Sequence, residues 1–422
     1  MKTSLVRKIA LVVFLPPLSV WILLRAVFYR LISLAGRSRP HEGTDFDVIC
    51  ISHVDWMQHI WQRNHHTMSR LAEKRKVLYC YPVTAHVGIK HPAMMFPLAH
   101  KRFGNLVFCK ILRLSGENHF AWIKALNEFI TRTEIKRLAH RYGLKRPILW
   151  FYFPFLEYLP GQLDELLTVY DIQDDYSAFA WASTKLAATE KTMLHKADIV
   201  FTGTHALYEK NKPFKENIHF FPCGVEFKHF SQQDPSKVPP DIKDVKPPIL
   251  GYFGLIDNRI DADLLKHLAE RHSDWNLFMI GPVDKNVFQK VDRKNVYFVG
   301  RKDYKQLPYY LQKFDVSLMP FAINEITKKI NPTKTLEYFS ARKPVVSSAI
   351  PDMIKYYSDI IGIAHTHQEF EELCDRAIRS PESFNLEKGL EAAKKTSWAS
   401  IIQSMESLIK QEIEKKYSRK GA

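Results

Sequence analysis

One side chain in the phrase NPTKTLEYFS, Lys334, has the type and position to do chemistry. It is a cation that can neutralise the charge of a diphosphate. The spacing predicts a helix over Pro332–Ala341, with Asn331 as cap, Pro332 as first helical residue and Leu336 and Phe339 as apolar positions. A cation in the first turn opposes the helix dipole, so Lys334 points to an anionic ligand held at Pro332, Thr333, Lys334 and Thr335. A solvated lysine is the plainer alternative.

The elements that must position this lysine read as a buried strand (Asp315–Met319), a polar loop (Pro320–Asn331), the helix, and a second strand (Pro344–Ser347). Strand, loop, helix and strand make half of a nucleotide-binding unit. The same alternation begins at Ile249–Gly254, ILGYFG, where Gly254 lets the backbone approach a ligand closely and Arg259 precedes a helix at Asp261–Arg271. Strands follow at Trp275–Ile280 and Asn295–Gly300. Gly251 and Gly254 lack the spacing of a dinucleotide fingerprint, which argues against a simple NAD-dependent enzyme.

The first half repeats the pattern. FDVICIS (Phe46–Ser52) reads as a parallel strand buried on both faces, followed by a polar, aromatic loop, a helix over Ile60–Glu73 and a strand at Val77–Tyr81. Sites of open α/β sheets lie beyond the carboxyl ends of strands, which singles out His53, Asp55, Trp56, Gln62, Arg63 and His66. Helices are expected near Asn105–Leu114, His119–Tyr142 and Ala180–Lys196, and strands at Ile148–Phe153 and Leu167–Asp171. Asp174 and Asp175 are adjacent carboxylates of the kind that cap a helix rather than a metal site. Glu369–Ile378 and Glu387–Lys415 complete the chain as helices.

At PTKTLEYFSARKPVV the chain resembles the nucleotide-binding half of GT-B glycosyltransferases, in particular the retaining enzymes of glycosyltransferase family 4. The resemblance implies that Glu337 is the second Glu of the Glu-x7-Glu motif, which holds the donor ribose. Lys329 stands where the first Glu belongs, and Glu325 would take over part of its role, meeting the transferred sugar with Asn324 and Thr327. A bacterial subset of the form NEaT…PTKtLEY is closer still. In that subset a Trp precedes QRPQHL, matched here at Trp56, Gln62, Arg63 and His66, with departures at Asn64, His65 and Thr67. His66 would then orient an acceptor or donor hydroxyl. Lys334 and Arg259 would hold the diphosphate, with Gly254 beside it, and Gly300, Arg301 and Tyr304 would face the nucleobase. PCGVEFKHF resembles the family's P-N-G-V-D-x-x-x-F, with Cys223 for Asn and Glu226 for Asp; Gly224 is read as a turn glycine at positive φ.

The implied fold class is α/β, two Rossmann-like domains facing a cleft, with an N-terminal hydrophobic membrane-associating segment. The expected order is 1–41 membrane segment, 42–230 acceptor domain, 231–248 proline-rich linker, 249–385 donor domain, and 386–422 a helix packing back on the first domain. The chain has 422 residues and a net charge of +16. Residues 1–41 hold seven Lys/Arg and no acid, residues 60–146 hold seventeen against four Glu, and residues 147–422 are neutral. Such a field suits an anionic membrane surface, and no nucleic-acid motif accompanies it. Ile9–Leu24 is apolar except for Ser19, with Arg25, Arg30, Arg37 and Arg39 after it, which fits an uncleaved anchor, spanning or monotopic. Five scattered cysteines suggest a reducing compartment, and no metal site is read.

The expected function is therefore transfer of a sugar from a nucleoside diphosphate sugar to a glycan or lipid-linked acceptor, without cofactor or metal, at the cytoplasmic face of a bacterial inner membrane. A nucleotide-sugar epimerase, a phosphorylase and a non-catalytic scaffold are the alternatives.

Overall fold

The computed structural model describes residues 44–58, 61–84, 100–176, 184–324, 327 and 333–418. The membrane segment expected over residues 1–41 lies outside them. Among the described residues no helix is long and apolar enough to cross a membrane.

The chain forms two compact units, residues 1–222 with 402–422 and residues 223–401. In the first, eight strands are β1 (Asp47–Ile51), β2 (Val77–Thr84), β3 (Lys101–Phe103), β4 (Leu106–Arg113), β5 (Pro147–Phe151), β6 (Thr168–Ile172), β7 (Ile199–Thr202) and β8 (Ile218–Phe220). Their order in the sheet is β3-β4-β2-β1-β5-β6-β7-β8, parallel except for the β3–β4 pair. The second unit has β9 (Ile249–Phe253), β10 (Asn276–Ile280), β11 (Val296–Phe298), β12 (Val316–Met319), β13 (Val345–Ser348) and β14 (Gly362–Ala364) in the order β11-β10-β9-β12-β13-β14. Both sheets grow outward in two directions from a central pair, β1 beside β5 and β9 beside β12. At such a reversal the two following loops part and open a crevice at the carboxyl ends.

Apolar runs explain the strands: residues 48–51 of β1, all of β6, β7, β9 and β12, and most of β5 are buried. The helix expected near Asn105–Leu114 is instead β4. Its short run LVFCKILR fits between β2 and the antiparallel β3, where its apolar residues are covered. Residues 231–248, read as a linker, carry short helical turns within the second unit and bury Ile242 completely. The last helix is two helices, Leu386–Lys395 and Trp398–Ser418. The break exists because Val225 pairs with the backbone there, donating to Thr396 O at 3.1 Å and accepting from Trp398 N at 3.1 Å. Trp398, Ile401 and Ile402 face inward as expected. Within the first unit, the far part of that helix is held by Arg75, whose Nε meets Glu406 at 2.7 Å while its guanidinium lies over Phe46.

The helix Arg63–Leu71 lies on the first sheet through polar side chains. Arg63 Nε donates to both carboxylate oxygens of Asp171 at 3.0 and 3.1 Å, and its Nη1 donates to Phe221 O at 2.6 Å and Pro222 O at 3.1 Å. Beside it, Asn64 donates to Ser52 Oγ at 2.9 Å and to the Tyr79 hydroxyl at 2.8 Å. The Arg63 and Asp171 side chains are 1% and 0% exposed, so deleting one leaves the other charged and buried. Arg63→Ala is expected to destabilise the first unit by about 3–5 kcal/mol, read as a lower denaturant midpoint. A change under about 1 kcal/mol, the size typical of a surface pair, would show that the pair carries no structural load.

Candidate functional site

In the second unit the loops after β9 and β12 meet at the reversal of strand order. Ala322 N donates to Arg259 O at 2.9 Å, Asp261 N donates to Pro320 O at 2.8 Å, and Ile260 pairs with Phe321. The β9 loop turns at Gly254, φ +149°, where a Cβ would lie 2.4 Å from Lys334 Cε and 2.7 Å from the Tyr252 hydroxyl oxygen. Gly281, after β10, has φ +141°, and a Cβ there would come within 1.7 Å of the Gly254 carbonyl. Any side chain at either position would push into backbone or into the lysine, so glycine is required by both conformation and space.

Lys334 opens the helix Lys334–Ser340 and lies over Gly254. Burial pulls its ammonium below the usual lysine range; Glu337 opposes that shift and the Arg259 charge adds to it. Burial pushes Glu337 up to about 7, against the pull of Lys334 and with help from Glu226. Among the described residues no hydrogen bond or ion pair holds either charged end. Arg259 is aimed by Asp257, which accepts its Nε at 2.9 Å and one terminal nitrogen at 3.0 Å. The arrangement gathers two cations and a carboxylate around a backbone turn, a composition that suits a diphosphate joined to a hydroxyl-bearing ring.

The structure separates the residues singled out above. Gly254, Arg259, Lys334 and Glu337 come together. Gly300 joins them through its carbonyl, which accepts from Gly281 N at 2.9 Å, and Arg301 beside it is exposed. Thr333 is the cap of the helix but makes no side-chain capping bond, and the Thr335 hydroxyl faces inward toward the Met353 sulfur at 3.3 Å, leaving only its backbone for a ligand. Asn324 and Thr327 are spent on each other: Thr327 N donates to Asn324 Oδ1 at 3.0 Å, and Asn324 N donates to Thr327 Oγ1 at 2.9 Å. Thr327 is fully buried and shapes the loop rather than meeting a sugar. Glu325, Lys329, Asn331 and Pro332 lie outside the described residues.

In the first unit, Arg63 is a buried structural cation and cannot meet a sugar, because its guanidinium is committed to Asp171 and to the Phe221 and Pro222 carbonyls. Trp56 is packed among Tyr79, His65 and Phe103, with ring centroids 5.1, 5.1 and 6.4 Å away. Asp55 pairs with Lys110 at 3.3 Å, and His66 Nδ1 lies 3.3 Å from Arg70. Gly224 does not stand at positive φ; it is needed because a Cβ would lie 2.8 Å from the Trp398 ring and 2.9 Å from its backbone nitrogen. Asp175 pairs with Lys210 at 2.6 Å, and no metal-holding cluster exists among the described residues.

Sequence reasoning missed four residues at the site in the second unit. Tyr252 lies against Gly254, and its hydroxyl donates to Leu255 O at 3.2 Å; Asp257 orients Arg259; Gly281 packs on Gly254; and Glu226 presses its charge on Glu337. The signals were an acid two residues before Arg259 and the Glu of GVE. The glycine after β10 carried none.

Residues 248–379 match the family model described as glycosyl transferases group 1. Among solved structures, Anabaena HepE in complex with UDP and glucose superposes with a TM-score of 0.61 at 11% identity, covering 87% of this chain and 100% of that one. Sucrose-phosphate synthase from Thermosynechococcus elongatus gives 0.61 at 16% identity, covering 87% and 99%. The chain has the GT-B glycosyltransferase fold. The residues matched by the group 1 model lie within its second unit. Bacillus subtilis (strain 168) TuaH, a glycosyltransferase whose name places it in teichuronic acid biosynthesis, is 26% identical over 231 residues, 50% of this chain. The match spans 57% of the length of TuaH.

The second unit should show its half-buried carboxylate in its stability. Because Glu337 is raised to about 7 in the fold, the folded state holds a proton that the unfolded chain has already lost, and stability falls as pH rises from the ordinary carboxylate range through about 7. Glu337→Gln is expected to gain roughly 1–3 kcal/mol on the parent chain between pH 5 and pH 8 in denaturant melts. Parallel pH profiles for the two proteins would refute the burial of that charge.

Proposed function

We propose that the chain moves a glycosyl group from a nucleoside diphosphate sugar to a glycan or lipid-linked acceptor in cell-surface polysaccharide synthesis. The observation that carries this is the meeting of Lys334, Arg259 and Glu337 at the Gly254 turn inside a group 1 domain. Leaving-group charge grows on the diphosphate as the glycosidic bond breaks. Cations already stripped of water stabilise that charge more than they stabilise the bound donor. Lys334, over the turn, is the first candidate for this role and Arg259, aimed by Asp257, the second. Glu337 would accept the ribose hydroxyls, with Glu226 tuning it. Glu325 and His66 remain the candidates for contacts to the transferred sugar and the acceptor.

The donor reading is supported by HepE, whose structures hold UDP or UDP with glucose, and the pathway reading by the name of TuaH. Transfer with retention and without metal is part of the proposal. On that reading the leaving phosphate takes the acceptor proton, which explains why no general base stands out. Attachment to the cytoplasmic face of the membrane is proposed from the charge of residues 1–41.

Lys334→Ala is expected to lower turnover by roughly 10²–10³-fold in a UDP-release assay, while stability is unchanged or rises because a poorly solvated charge is removed. Turnover within about twofold of the parent would refute the role of the lysine. Deleting residues 1–41 is expected to abolish co-sedimentation with phosphatidylglycerol vesicles at moderate salt. Undiminished sedimentation would place the membrane contact elsewhere.

A further inference from the structure

Three large apolar side chains that the first unit shows to water gather on one patch. Met57, Trp61 and Phe103 are 44%, 50% and 42% exposed. The buried Trp56 links them: its ring centroid is 6.1 Å from Trp61 and 6.4 Å from Phe103, and Met57 follows it in the chain. Trp56 in turn lies 5.1 Å from Tyr79, and Tyr79 lies 6.0 Å from Phe108, so buried rings of β2 and β4 form the floor of the patch. Folding alone gains nothing from leaving two rings and a methionine together in water.

The rim is cationic. Lys101 and Phe103 stand two residues apart in β3, so they share a face with Phe108 and Leu106, their partners in β4. Lys110 has its Nζ 6.0 Å from the centre of the Phe108 ring and pairs with Asp55 at 3.3 Å. Beyond Trp61, the His66 ring is 5.4 Å away, and Arg70 Nη1 lies 3.3 Å from His66 Nδ1. Among the described residues placed at the patch by these contacts, three cations face one carboxylate.

Area and charge decide what covers such a patch. An aromatic side chain offers about 150–250 Å², so three half-exposed side chains present on the order of 300 Å². A stable dimer uses roughly 800 Å² from each partner. A second copy seated on this patch about a twofold axis would also bring its own three cations against these three. An anionic bilayer meets both features, because rings settle at the depth of the headgroups while lysine and arginine reach the phosphates.

We propose that Met57, Trp61 and Phe103 enter the interface of an anionic bilayer, with Lys101, Lys110 and Arg70 on the lipid phosphates. This rests on the membrane attachment proposed for residues 1–41, which supplies the encounter. The tether raises the effective concentration of the first unit at the surface, and a patch too small to hold the chain alone then docks.

The test uses the full chain and phosphatidylglycerol vesicles with brominated acyl chains, which quench an indole only on contact, read beside co-sedimentation. Trp21→Phe serves as the parent, so that residues 1–41 contribute no indole. The expected result is quenching that falls at least about twofold when Trp61→Phe is added and is kept when Trp122→Phe is added instead. Trp61→Phe retains a ring beside Trp56, and its melting point should match the parent. Lys101→Glu is expected to weaken vesicle binding roughly 5- to 30-fold at low salt. Equal quenching with and without Trp61, in a chain that still sediments with vesicles, overturns the patch and leaves the attachment standing. A parent chain that does not sediment with vesicles overturns both. A dimer in sedimentation velocity that Trp61→Ser splits into monomers also overturns the proposal, since a second copy would then cover the rings.

Discussion

A cation and a carboxylate drawn into a space with little water, without being paired to anything, is the constraint on which the second unit turns. Lys334 and Glu337 sit one helical turn apart, and the fold shifts both toward their neutral forms. Folding alone gains nothing from that. A lysine on the far side of the same helix would keep its water, and a glutamine at 337 would remove the cost of a buried charge. The arrangement becomes favourable once a ligand supplies an anion for the lysine and hydroxyls for the carboxylate. The surrounding structure then reads as what such a site needs. Gly254 and Gly281 bring two backbones and the lysine stem within contact distance, Tyr252 walls the turn, and Asp257 fixes Arg259.

Topology explains why this occurs where it does. Two sheets, each built outward from a central pair of parallel strands, place a reversal between β1 and β5 and another between β9 and β12. Loops leaving neighbouring strands in opposite directions open a crevice with no further design. In the second unit the crevice is dressed with charge, in the first with aromatic rings. The same architecture thus provides a crevice in each unit, and the side chains after each strand decide what it presents.

Much of this was legible in the sequence, and the failures have physical reasons. Near-continuous apolar runs gave the parallel strands, because a strand covered on both faces cannot hide its composition. Residues 106–113 misled because a buried strand and a buried helix segment of eight residues look alike without flanking turns. Lys334, Gly254 and Arg259 were visible from type and position, and Glu337 from the resemblance at PTKTLEYFSARKPVV. Asn324 and Thr327 were visible for the wrong reason: a polar pair three residues apart in a loop can bond to itself, and here it does. Gly281 was invisible because its reason for being glycine is the carbonyl of a residue 27 positions earlier.

Arg63 and Lys334 show how a buried cation's purpose is decided. Both belong to short helices beside a sheet reversal, and both looked like ligand contacts in the sequence. Arg63 donates four hydrogen bonds, two to a carboxylate and two to backbone carbonyls, at 2.6 to 3.1 Å. Its charge is neutralised within the unit by the buried Asp171 carboxylate. Lys334 has the opposite accounts: low solvent, a nearby guanidinium that repels it, and a carboxylate that attracts it without bonding to it. A buried cation that is fully bonded holds a fold in register, whereas one that is desolvated and unbonded is held at a cost that only a bound anion removes. By that criterion the first unit's arginine belongs to the scaffold, whereas the second unit's lysine keeps a charge that no described residue of its unit neutralises by bonding.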